Sequence, residues 1–155
     1  MNKLLKTGLI ILNLLALTPC AVFAQVDKIK FDKQTFNLSN PDSKTKSYDY
    51  LLKDENAGNW HTKIQLTNFP DLTNPTDAAA QYAHEIQEKT KGASVLVYPD
   101  AAIVGYLTFP ESKEYYEYDT AIYQPAKTKG LDRFLYARRF YASENGGQEE
   151  GREKK

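Results

Sequence analysis

Asn74-Pro75-Thr76-Asp77-Ala78-Ala79-Ala80-Gln81-Tyr82-Ala83-His84-Glu85-Ile86 carries the clearest helical signature in this sequence and separates two groups of strand-like segments. Asn74 can accept from the amides that a helix start leaves without partners. Pro75 suits the first helical position, where its missing N–H costs nothing. Asp77 sets a negative charge at the positive end of the helix dipole. Ala79, Tyr82, Ala83 and Ile86 recur at i, i+3, i+4 and i+7, which marks one buried face. With Lys89 and Lys91 in the last turn and Gly92 as the stop, the pattern predicts a helix over 75–90.

Around this helix the period changes to two. Residues 28–38 alternate weakly through Ile29, Phe31, Phe36 and Leu38, as a short edge strand or an extended arm. Asn40-Pro41-Asp42-Ser43 is turn chemistry. Residues 47–53 and 60–67 read as two strands of a hairpin across the loop 54–59. Behind the helix, 93–98, 101–109, 114–124 and 131–142 follow with short connections, and short connections require antiparallel neighbours. The order ββαββββ predicts an α+β domain, an antiparallel β-sheet with one main helix packed on one face. The expected organisation is a signal peptide over 1–24, a single α+β domain over 25–142 and a disordered polar tail over 143–155.

The leader changes the composition. Lys3 and Lys6 precede an apolar run from Gly8 to Leu17, and Ala21-Val22-Phe23-Ala24 supplies a cut after Ala24. The run is too short to span a bilayer, so it reads as a cleavable secretory signal, and the expected destination is the periplasm or the medium. Leu17-Thr18-Pro19-Cys20 is a poor lipidation match because Pro19 stands where a small residue is usual, so no anchor is expected at Cys20. Cleavage leaves 131 of 155 residues and turns 20 basic against 20 acidic side chains into 18 against 20. A slightly acidic domain lacks the basic footprint that nucleic acid requires. The only Cys and the only Met leave with the leader, which excludes disulfides and thiol chemistry from the exported chain.

Catalytic signatures are scarce. His84-Glu85 begins an HExxH motif, but Glu88 occupies the second His position, so no metal site is expected from His61 and His84. No P-loop, GxGxxG or Gly-x-Ser-x-Gly pattern is present, and no cofactor or catalytic residue is assigned. Glu114, Glu117 and Asp119 cluster on one turn and strand, which keeps a small envelope hydrolase as the alternative reading.

The strongest binding signal is aromatic and cationic. Tyr115, Glu117, Asp119, Ala121 and Tyr123 share one strand face, and Arg133, Leu135, Ala137, Arg139 and Tyr141 share one face of the next strand. The opposite rows, Tyr116, Tyr118, Thr120 and Ile122 with Phe134, Tyr136, Arg138 and Phe140, are more apolar and are expected beneath the helix. The open face then presents Tyr115, Tyr123, Arg133, Arg139 and Tyr141, with Trp60 nearby, as residue types enriched in binding hot spots. Cross-strand Arg–Glu pairing would account for several of the same residues without any partner.

The stretch Tyr48-Asp49-Tyr50-Leu51-Leu52-Lys53-Asp54-Glu55, Asn59-Trp60, the central helix, and Asp132-Arg133-Phe134 with Arg138-Arg139-Phe140 resemble a family of small exported bacterial proteins. Their layout is similar to the PsbP-like fold, over about residues 46–142. The resemblance implies a fold and a compartment and transfers no catalytic residue. The expected function is an exported, non-catalytic binding or accessory protein whose partner is an envelope or secreted protein.

Overall fold

The computed structural model describes residues 26–42, 44–87 and 89–142. The signal peptide expected over 1–24, with Cys20, and the tail expected over 143–155 lie outside them. Eight strands are present among the described residues: β1 (Lys28–Phe31), β2 (Gln34–Asp42), β3 (Ser47–Leu52), β4 (Thr62–Phe69), β5 (Thr90–Tyr98), β6 (Ala101–Thr108), β7 (Tyr115–Pro125) and β8 (Leu131–Tyr141). The helix α1 (Pro75–Ile86) lies between β4 and β5. All strands join one antiparallel sheet in the order β1-β2-β3-β4-β8-β7-β6-β5.

The protein is therefore mostly β, which corrects the expected α+β class. Two local conformations account for the difference. Asp32 and Lys33 take φ of 46° and 64°, the left-handed pair that a tight two-residue hairpin turn demands. The expected edge strand or arm over 28–38 is consequently a hairpin, β1 with β2. The helix also stops early: Asn74 caps it by accepting from the amides of Thr76 and Asp77 at 2.9 and 3.3 Å, but it closes at Gln87. Thr90 already begins β5, and Gly92, at φ 133°, stands at the irregular register of β5 with β6 instead of ending the helix.

Both faces of the sheet are covered, and in the reverse of the expected assignment. Helix α1 lays Ala78, Ala79 and Ala83 on Ala102, Val104, Ala121, Tyr123, Leu131 and Leu135. Of these, Ala121, Tyr123 and Leu135 belong to the Tyr/Arg/acid rows expected to be open. Small residues on both sides allow helix and sheet to approach closely, which the bulky Phe134–Tyr136 row would prevent. That bulky row instead packs with Phe36, Tyr50, Ile64 and Leu66 on the other face. Its cover is β1: the Phe31 ring lies 5.6 and 5.4 Å from those of Phe134 and Tyr136. In a flat sheet β1 and β8 would stand roughly 19 Å apart, four strand spacings. The sheet must curl, and β1 closes over its concave side.

The loop before β8 is fixed by a glycine. Gly130 has φ 82°, and a Cβ there would meet the Phe69 carbonyl oxygen at 2.0 Å. Only glycine fits that approach. Asn68 holds the same corner by donating to the carbonyls of Lys129 and Leu131 and to Asp132.

Candidate functional site

Four of the six residues expected to bind come together at one end of the helix-side face. Trp60 precedes β4 and so escapes the alternation of Ile64 and Leu66; it turns to the opposite face and is buried with Leu51 and Ala137. The antiparallel register sets Tyr115 opposite Tyr141 and Glu117 opposite Arg139. The Arg139 guanidinium lies 3.7 Å from the Trp60 ring centroid and 4.3 Å from that of Tyr115. Its Nε donates to Glu117 Oε2 at 3.0 Å. Lys63 approaches Trp60 at 4.6 Å. The Tyr141 hydroxyl donates to the Trp60 carbonyl at 3.1 Å, and its ring stands 5.5 Å from Tyr115 and 5.0 Å from His61.

The loop behind Trp60 is ordered by its own side chains. Asn56 accepts from the Gly58 amide and Asn59 from the Asn56 amide. Glu55 accepts from the His61 amide at 2.9 Å and lies 3.3 Å from His61 Nδ1. The result is a rim of half-exposed Tyr115, Tyr141 and His61 over a preset Trp60–Arg139–Glu117 stack.

Tyr123 and Arg133 are elsewhere, at the contact of the sheet with α1. Tyr123 is 2% exposed. Arg133 Nη2 donates to Gln65 at 2.7 Å and to Thr67 at 3.4 Å, and its guanidinium faces the rings of Tyr82 and Phe69 at 5.1 and 5.3 Å. Gln65 in turn donates to Asp49 at 2.8 Å, so its amide links the cation to a carboxylate. A Tyr82–Tyr106 hydroxyl pair at 2.6 Å adds to the same seam. These two residues dock the helix.

The three acids occupy three environments. Glu114 is exposed ahead of β7, and Glu117 is half-buried against Arg139. Asp119 is 2% exposed. Burial pushes its carboxyl up to about 8, and Glu117 adds to the shift by charge repulsion and a hydrogen bond, while Lys63 and Arg139 oppose it. Among the described residues no three His, Cys, Asp or Glu side chains converge as metal ligands, and no helix is long and apolar enough to cross a membrane.

One surface escaped the sequence reading. Val95, Leu96 and Val97 on β5 are 37, 48 and 57% exposed. The signal was present: Val95-Leu96-Val97-Tyr98 runs apolar without alternation, the pattern of a strand covered on both faces. Elsewhere on the concave side Phe109, Tyr116 and Phe140 form a ring stack, with Arg138 over Phe140. Their faces are turned to each other, which makes the stack a strand-to-strand clamp.

A family model matches residues 23–153 of the chain. No curated protein and no solved structure matches it.

Proposed function

We propose that this chain, which belongs to the uncharacterised family matched over residues 23–153, is an exported, non-catalytic binding or accessory protein. It meets a protein or envelope component at the Tyr115–Tyr141 rim. One observation carries this reading. Arg139 is held between two aromatic rings and a carboxylate, so the half-exposed tyrosines above it rest on a rigid base. Rigid aromatic side chains with polar tips give contact area at low entropic cost, which is why Tyr and Arg dominate hot spots. Export rests on the Lys3–Leu17 leader and the cut after Ala24. The family match begins at residue 23, beside that cut.

A hydrolase using Glu114, Glu117 and Asp119 would need Glu117 free of Arg139 and Asp119 open to substrate. Both requirements run against their placement. The test is a crosslinking pull-down of the mature protein from its own envelope fraction. Tyr115→Ala with Tyr141→Ala should lose a partner that the natural chain recovers reproducibly, with the melting curve confirming a folded variant. Equal recovery by both proteins refutes the rim, and reproducible recovery of nothing refutes the binding role.

A further inference from the structure

The two edges of the sheet are guarded very differently. An edge strand exposes unpaired N–H and C=O groups, and chains commonly protect it with short length or lysine. Strand β1 has both protections: it is four residues long and carries exposed Lys28 and Lys30. Strand β5 is less guarded: it is nine residues long, its one charged residue is Lys91 near its start, and Gly92 to Pro99 contains none.

Its side chains are also those of an interior strand. Val95 and Val97 pair with Val104 and Ala102 of the helix-side core, and Leu96 pairs with Ile103 of the concave core. Each of the three is nevertheless more than a third exposed. Apolar groups on both faces are left half covered, and another strand laid along β5 would cover both sets at once.

We propose that β5 pairs antiparallel with β5 of a second copy of this chain, joining two sheets across a twofold axis. Charge favours this occupant. A pairing centred on Val95 sets Thr90 opposite Asp100, which brings exposed Lys89 of one copy beside exposed Asp100 of the other, twice by symmetry. Pairing β5 with β1 of another copy would set the valines against Lys28 and Lys30. It would also leave an edge free at each end, so the assembly would grow without closing. The β5 pairing closes at two. It lies away from the Tyr115–Tyr141 rim and does not depend on any role for it.

Analytical ultracentrifugation of the exported chain over a range of concentrations tests the proposal. The expected result is a reversible monomer–dimer equilibrium. Leu96→Lys and Val97→Lys should each raise its dissociation constant at least about tenfold, since every exchange buries two charges. Both sites are exposed, so the monomer should keep its melting temperature. Lys89→Glu and Asp100→Lys should each weaken the dimer, and the two together should restore it. Within one copy these residues sit at opposite ends of β5, so recovery reports a contact between copies. A monomer at every concentration, growth beyond a dimer, or a dimer indifferent to these exchanges overturns the proposal.

Discussion

Asp119 sits among Tyr106, Ala137 and Glu117, where a negative charge has little water to stabilise it. Folded, it keeps its proton to about pH 8; its ordinary value is 3.8. Between those values the folded state binds the extra proton, so stability is fullest below the window, falls as pH rises through it, and levels above about 8. Asp119→Asn holds that position neutral at every pH. The difference in urea midpoint between variant and natural chain should grow in the variant's favour from the acid side of the window to the alkaline side. A constant difference would mean that Asp119 ionises normally. Arg139 makes the complementary case. Lysine keeps the charge but cannot offer a planar group to Trp60 and Tyr115 while donating to Glu117. Arg139→Lys should cost roughly 2 kcal/mol, the scale of a hydrogen bond to a charged group, read as a lower denaturation midpoint.

At the scale of elements, α1 depends on its first turn. Asn74→Ala removes the acceptor for two backbone amides and should destabilise the fold by about 1 kcal/mol. Asn74→Asp should recover most of it, which a thermal melt of both variants checks. This helix start was legible because capping is local chemistry, carried by Asn74 and Pro75 alone. The β3–β4 hairpin was legible for the same reason, since alternation over a short loop names both strands. Two other elements were not. Asp32-Lys33 lacks the glycine that usually marks a left-handed turn, so the β1–β2 hairpin passed as an arm. Alternation along β7 and β8 separated two faces correctly but could not say which the helix would choose. That choice depends on Ala78, Ala79 and Ala83 meeting buried residues of three strands, β6, β7 and β8, a fit that exists only once the strands are adjacent. The binding residues divided accordingly: Tyr115, Arg139 and Tyr141 share a rim because they share a register, whereas Tyr123 and Arg133, farther along the same rows, run under α1.

For the whole molecule, the curl of the sheet holds the second core closed. Phe31 is its latch, touching the rings of Phe134 and Tyr136 from four strands away in the sheet order. Phe31→Ala should cost roughly 2 kcal/mol, the scale of burying one large apolar side chain. The loss should concentrate locally: amides of β1 and β2 should exchange faster with solvent by hydrogen–deuterium measurement, while those of the β7–β8 pair keep their protection. Uniform loss of protection would instead mean that the curl and the sheet unfold as one unit.

The central seam has a consequence in time. Strand β4 meets β8, with Thr62 opposite Arg138 and Phe69 opposite Leu131, so the middle of the sheet joins segments made far apart during synthesis. Until β8 is available, β4 keeps an open edge and the Phe31 latch lacks the rings of Phe134 and Tyr136. Contacts of such long sequence separation slow folding, and β8, the last strand among the described residues, is the one that completes both cores. A chain stopped before residue 131 would be left as β1–β4 and β5–β7, two partial sheets with four open edges between them. Such edges are templates for aggregation, so the β7–β8 hairpin decides between folding and loss.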